Sequence, residues 1–399
     1  MASPTPPIFD PEAALPGAPD PWRGSTMPPS RPGPPWLMTE MIAAEPALAG
    51  RLLRRLAADD GPAAGLAAEI LAVAAAGDPI RVVGCGTSEH AAQASALILG
   101  HALLRGRSDV APIEAVQAFE AALAPQQGGL VIGISHEGGT WATNRALEAA
   151  RAAGSRTALV TVGGGSPGAA LVDRVVTTDE MDQSWCHTVG YLSPLLTATA
   201  VAGHLRGRQP EPDAVRAALA DGATGAARAE VGATSLAASV HLLVIASGAD
   251  RPAARELALK VEEATWLPTT MRDLETFLHG HLPATGPESG LVLILTDADG
   301  LEARAERAAE ALAAARSVGL RAMAILSDAA HALLLDAPTP AGRMRAAPPA
   351  GLDGPAAALL ASVVPLQLLT ERLARVRGTN PDPIRRDQAA WLEAGQRHR

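Results

Sequence analysis

The sequence predicts an α/β protein of two tandem domains, each a parallel sheet flanked by helices. Short apolar, β-branched runs alternate with amphipathic helical segments, the pattern of βαβ units around a parallel sheet. The same order of segments occurs twice along the chain. Its 399 residues suffice for two ordinary domains at roughly 150 residues each.

Residues 1–36 hold PTPP, PGAPDP, MPPSRPGPP and little else. Proline removes backbone donors and is excluded from helix interiors, so this stretch reads as a disordered tail. From Leu37, LMTEMIAAEPALAGRLLRRLA places apolar residues at helical spacing, broken at Pro46, and predicts one or two opening helices. IRVVGCG predicts a strand entering a glycine turn, SEHAAQASALILGHALL a helix, GGLVIGIS a strand, TWATNRALEAARAAG a helix and RTALVTVG a strand. A Leu- and Ala-rich helix near residues 192–206 closes the first domain, 37–206, and a polar connector covers 207–230. The second domain, 231–399 with a C-terminal tail, repeats the order: SVHLLVIASG, ARELALKVEEATW, GLVLILTD, EARAERAAEALAAARSVG, RAMAILSD and a final helix AAALLASVVPLQLLTERLARVRG. The chain reads as an internal duplication.

Composition narrows the function. Hydrophobic residues make up 48% but aromatics only 3%, so Ala, Leu and Val must fill the cores. A formal charge of −9 argues against a nucleic-acid partner, because duplex binding rests on clustered Lys and Arg. Cys85 and Cys186 lie far apart without CxxC spacing, which indicates neither a disulfide framework nor a zinc site. No run reaches 18 apolar residues, and the N-terminus lacks the charged-then-apolar order of a signal peptide. These features set the expectation of a cytoplasmic chain with a small-molecule ligand and no membrane partner.

In open parallel sheets, ligands collect at the carboxyl ends of strands, where helix N-termini present free N–H groups. Two turns stand out there: Gly84-Cys85-Gly86-Thr87-Ser88 and Ser135-His136-Glu137-Gly138-Gly139-Thr140. Their hydroxyls and N–H groups could cradle a phosphate without lysine, or the hydroxyls could serve only as helix N-caps.

These residues also carry a resemblance. VVGCGTSEHAA, followed about fifty residues later by GISHEGGTWATNRALEAARAAGSRT, resembles the sugar isomerase (SIS) domain, and specifically the isomerase half of glucosamine-6-phosphate synthase, with its GCGTS and ISQSGET turns. The resemblance extends to MTEMIAAEPALAGRLL, ELALKVEEATW, ETFLHGHLP and VVPLQLLTERLARVRGTNPDPIRR, roughly residues 37–390. It implies two tandem SIS domains, each a flavodoxin-like three-layer sandwich. It also implies a homodimer, since the family completes its site with a histidine loop from a neighbouring subunit, and it implies no cofactor.

Residue by residue, the resemblance assigns phosphate-binding hydroxyls to Ser88, Ser135 and Thr140, with Thr87 beside them. His136 replaces the family's Gln. Glu137 replaces a phosphate-binding Ser, and two like charges about 4 Å apart repel by roughly 1 to 4 kcal/mol. The catalytic glutamate falls on Glu263, which would shuttle a proton between adjacent sugar carbons. The ring-opening histidine falls on His279, 16 residues on (279 − 263), and Lys260 matches a lysine near the glutamate. Without the resemblance, Glu263 reads as a solvated helix face beside Lys260 and Glu262, and His279 with His281 as a loop pair. With no further ligand run nearby, metal is not expected.

Three departures qualify the match. The family's C-terminal lysine has no counterpart in RRDQAAWLEAGQRHR, which offers Arg385 and Arg386; arginine stays protonated and forms no imine. Asp182-Gln183-Ser184-Trp185-Cys186-His187-Thr188 replaces a family loop and retains only Thr188, a segment read as contacting substrate rather than as a Cys186–His187 nucleophile pair. The glutaminase domain with its N-terminal cysteine nucleophile is not expected in a chain that begins MASPTPPIFD. The resulting expectation is an aldose–ketose isomerase or amino-sugar deaminase acting at C1–C2 of a sugar phosphate or amino sugar. The alternative is a non-catalytic, regulatory or degenerate sugar-phosphate-binding SIS protein.

Overall fold

The structure, a computed structural model, describes residues 9–24, 27–104 and 111–396. Two helices open the folded part, α1 (Leu37–Leu56) and α2 (Pro62–Ala75). The first sheet unit follows as β1 (Ile80–Gly84), α3 (Thr87–Leu104), β2 (Glu114–Gln117), α4 (Ala118–Leu123), β3 (Leu130–Ile134), α5 (Trp141–Ala152), β4 (Arg156–Thr161), β5 (Arg174–Thr177) and α6 (Val189–Arg206). Two helices, α7 (Pro212–Ala223) and α8 (Ala226–Leu236), lead to the second unit. It comprises β6 (His241–Ala246), α9 (Arg251–Thr265), β7 (Thr269–Asp273), a single turn α10 (Leu274–Thr276), β8 (Ser289–Leu295), α11 (Leu301–Ser317), β9 (Arg321–Leu326), α12 (Asp328–Leu333), β10 (Arg343–Arg345), α13 (Gly354–Arg377) and α14 (Ala389–Gln396).

Both sheets have five strands, all neighbours parallel. The first runs β2-β1-β3-β4-β5, and the second, read from its other edge, runs β7-β6-β8-β9-β10. Each is therefore ordered second, first, third, fourth, fifth, which establishes the duplication as two copies of one topology.

The period of two along each strand divides its side chains between two cores. Leu130, Ile132 and Ile134 face a central core that joins both halves, while Val131 faces an outer one under α4 and α5. In the second sheet, Val292 and Ile294 face the same central core, and Leu291, Leu293 and Leu295 an outer core under α11. Helix α13 is long and apolar enough to cross a bilayer, but 94% of its most apolar window is buried, against α9, α8 and α7. It also packs on α3, α6 and α1, so it is one of the helices that join the halves.

Two expectations change. The stretch 207–230, read as a polar connector, is mostly helical: Pro212 sits in the first turn of α7, where a missing N–H does no harm, and Val215, Leu219 and Gly222 bury one face of it. The stretch 1–36, read as a disordered tail, packs against the first unit over its described residues, with Leu15 only 7% exposed; residues 1–8, 25 and 26 of it lie outside the described residues. An apolar side chain spaced among prolines supplies an anchor that composition averages away.

Candidate active site

In a sheet of this order, the chain leaves β1 toward one edge and β3 toward the other, so a crevice opens between their carboxyl ends. The turns that follow these strands are the two singled out in the sequence. Gly86 turns with φ +57, a conformation suited to glycine, and lets Leu259 of α9 approach to 4.0 Å of where a Cβ would stand. The second half of the chain thus contributes a wall to the first half's crevice.

That wall carries a cluster of charged side chains. Glu256, Lys260 and Glu263 stand at i, i+4 and i+7 on α9 and share one face. Lys260 Nζ lies 2.5 Å from Glu263 Oε2 and 3.7 Å from Glu256 Oε1. Glu256 in turn accepts a hydrogen bond from Thr87 Oγ1 at 3.2 Å and lies 2.8 Å from His90 Nδ1, both in the first turn of α3. Glu256 and Lys260 are 1% exposed, whereas Glu263 keeps 23% of its side chain open. Burial alone would push the Lys260 ammonium down, but the carboxylates of Glu263 and Glu256 outweigh it and hold it above the usual lysine value. Burial pushes the Glu263 carboxyl up, with Lys260 pulling the other way. The arrangement is a fixed buried cation beside one accessible, unusually basic carboxylate.

The turn after β3 holds Ser135 and Thr140 together, Ser135 Oγ donating to Thr140 Oγ1 at 3.2 Å. Thr140 occupies the N-cap of α5, yet its side chain makes no capping bond. The reading of that hydroxyl as a cap alone therefore fails. Glu137 is half-buried in the same turn.

His136, expected to line the pocket, points inward. Its Nε2 accepts the Asp182 N–H at 2.9 Å, and burial lowers its pKa to about 4, so the ring is neutral. The segment 182–188, expected to contact substrate, alternates instead: Asp182, Ser184, Cys186 and Thr188 are fully buried and Gln183, Trp185 and His187 half-buried. Asp182 organises it by accepting the N–H groups of Ser184, Thr188 and Gly190, which places Thr188 in the protein interior. Burial raises the Cys186 thiol well above its ordinary value, the opposite of what a nucleophile needs.

His279 is not among Glu263's neighbours. It lies exposed on the segment 277–281 with Nδ1 2.8 Å from Glu275. Its companion His281 accepts from Arg272 Nε through Nδ1, and among the described residues no three His, Cys, Asp or Glu side chains converge as a metal site.

The structure adds residues that sequence reasoning missed. Glu256 and His90 complete the cluster around Lys260; helical spacing back from Glu263 was the available signal. Beside Glu263 and Glu262 lies a cavity of about 410 Å³ lined by Trp266, Leu267, Pro268, Ile384, Arg385 and Trp391. The Arg385 guanidinium lies between two indoles, 4.3 Å from Trp266 and 3.6 Å from Trp391. Trp266, Ile384 and Arg385 all have positive φ, and such strained backbone gathers at functional sites.

The corresponding crevice of the second sheet, between β6 and β8, is closed. Asp250 accepts the N–H groups of Thr296 and Asp297 at 2.7 and 3.1 Å and the Thr296 hydroxyl as well, so a carboxylate of the chain itself occupies the turn.

Residues 76–203 match the model of the SIS domain. No curated protein matches the sequence significantly. Among solved structures, the C-terminal domain of glucosamine-fructose-6-phosphate aminotransferase from Francisella tularensis superimposes with a TM-score of 0.74 at 16% identity, over 89% of this chain and 99% of that one. Tagatose-6-phosphate ketose/aldose isomerase from Escherichia coli gives 0.67 at 16% identity, over 90% and 98%. Glucosamine-6-phosphate deaminase from Thermotoga maritima gives 0.65 at 15% identity, over 87% and 97%. The matched segment contains both turns of the first sheet's crevice, and the superpositions span both sheets. Residues 76–203 thus match the SIS domain, and the whole chain has the fold of two tandem SIS domains.

Proposed function

We propose that the chain is an aldose–ketose isomerase acting at C1 and C2 of a phosphorylated sugar or amino sugar. The observation that carries this reading is the accessible Glu263 carboxylate held 2.5 Å from a buried ammonium, on the helix whose Glu256 accepts from Thr87 at the β1 turn. The three structural neighbours are named for enzymes of hexose 6-phosphates, which supports the substrate class.

In this reading, Ser135 and Thr140, with Thr87 and Ser88 across the crevice, receive the phosphate at the N-termini of α5 and α3. Glu263 removes the proton from C2 of the open-chain aldose. The carbonyl oxygen at C1 gains a proton, giving an enediol; Glu263 then delivers its proton to C1 while the C2 hydroxyl loses its own and becomes the carbonyl. Burial makes Glu263 a stronger base, and Lys260 keeps it ionised enough to act. Lys260 itself, held protonated by two carboxylates, is unsuited to imine formation, which favours isomerisation over amination. Ring opening by His279 would come from a second copy of the chain, so the active species is a cytoplasmic homodimer.

Proton NMR in deuterated water tests the reading. With glucose, fructose or glucosamine 6-phosphate, the parent should exchange the C2 proton of its substrate, and Glu263→Gln should slow exchange by about 10²- to 10⁴-fold. Binding without exchange for any of them would make the protein a sugar-phosphate binder instead.

A further inference from the structure

The N-terminal segment runs as a strap across the carboxyl edge of the first sheet. The Leu15 N–H donates to Glu180 Oε2 at 2.8 Å, and the Met181 N–H to the Pro16 carbonyl at 2.8 Å. Arg51 clamps this junction, binding both Glu180 oxygens and the Glu12 and Ala13 carbonyls. Farther on, Ala18 lies so close to Gly163 that a Cβ there would meet it at 2.6 Å. The strap then reaches the turn after β3. Trp22 Nε1–H donates to the Glu137 carbonyl at 3.0 Å, and a Cβ on Gly139 would stand 2.8 Å from Trp22 Cζ2. Its far end is tied to the C-terminal segment, Asn380 Nδ2 donating to the Arg31 carbonyl at 3.0 Å.

We propose that Trp22 is a positioning residue of the sugar-phosphate site. One indole makes two contacts on the turn that carries Ser135 and Thr140, from more than a hundred residues away in sequence. Its N–H fixes the Glu137 peptide, and its ring occupies the space that only glycine leaves open at 139. Ser135 and Thr140 hydrogen-bond each other across this turn, so any rotation of the 137–139 peptides separates the two hydroxyls. The N-terminal strap therefore belongs to the ligand site and sets how well the turn holds a phosphate. This inference rests on the reading of the turn as the phosphate subsite.

Titration calorimetry on the full chain tests it, with glucosamine 6-phosphate and unphosphorylated glucosamine as probes. Trp22→Phe keeps most of the ring but loses the N–H. One neutral hydrogen bond corresponds to about a three- to tenfold change in affinity, so Kd for glucosamine 6-phosphate should rise by that factor while Kd for glucosamine and the melting temperature stay put. Gly139→Ala should weaken glucosamine 6-phosphate binding in the parent but add nothing to Trp22→Ala, because the obstructing ring is then gone. An unchanged Kd in Trp22→Phe, a parallel loss for both probes with a lower melting temperature, or additive effects of Gly139→Ala and Trp22→Ala would overturn the role of Trp22 alone. A parent without preference for the phosphorylated probe would overturn the phosphate subsite, and the Trp22 proposal with it.

Discussion

His136 shows how a single side chain in a turn at the carboxyl end of a strand can serve the core instead. Burial holds its pKa at about 4 against an ordinary 6.5. A lowered histidine stabilises the fold fully above pH 6.5, and that contribution, up to about 3 kcal/mol, is lost as pH falls through 4. Asp182 works in the opposite sense: burial raises it to about 6 from 3.8, so its contribution is present below pH 3.8 and lost as pH rises through 6. Between pH 4 and 6 the two partly cancel. His136→Gln removes only the histidine term, since a Gln Oε1 can still accept the Asp182 N–H. Urea unfolding at pH 7, 5.5 and 4.5 should therefore show the variant gaining stability relative to the parent as pH falls. Parallel pH profiles for the two proteins would contradict this account.

At the scale of the element, α9 converts a helical repeat into a buried charge array. Replacing one partner of a buried ion pair leaves the others uncompensated, so Lys260→Met, which strands Glu256 and crowds Glu263, should destabilise the fold by about 3–5 kcal/mol in chemical denaturation. A loss under about 1 kcal/mol would mean that the carboxylates are already neutral without it. This helix also shows what the sequence could and could not reveal. ALKVEEATW was enough to place Glu263 and Lys260 on one element, but Glu256 draws its meaning from Thr87 and His90, about 170 residues away, and no local pattern announces that contact. Strands β1, β3, β4, β6, β8 and β9 were legible because their apolar, β-branched runs alternate with helices regardless of tertiary detail, whereas the short strands β2, β5, β7 and β10, which bury few side chains, were not. The direction of His136 was not, because a turn motif fixes position along the chain and leaves the side chain's face to its neighbours. The N-terminal strap was misread because proline content describes what a segment cannot form alone, whereas Leu15 and Trp22 decide what it packs against. For α7, the signal was present in Pro212 at its start and in the spacing of Val215, Leu219 and Gly222.

Across the whole molecule, duplication produced two sheets of one order but unequal crevices. The first is lined by hydroxyls and walled by a helix from the second half. The second is filled by Asp250, whose bonds to the Thr296 and Asp297 N–H groups take the donors an anion would need. In the proposed reading the two halves are thereby specialised: one supplies the phosphate turns and the other the acid–base face. A chain so built should hold one ligand rather than two. Titration calorimetry with glucosamine 6-phosphate measures this most directly, comparing the parent with the double variant Ser135→Ala/Thr140→Ala. The account predicts one site per chain in the parent and at least a tenfold weaker Kd in the double variant, with its melting temperature nearly unchanged because Thr140 caps nothing. Two sites per chain, or an affinity indifferent to both hydroxyls, would contradict it.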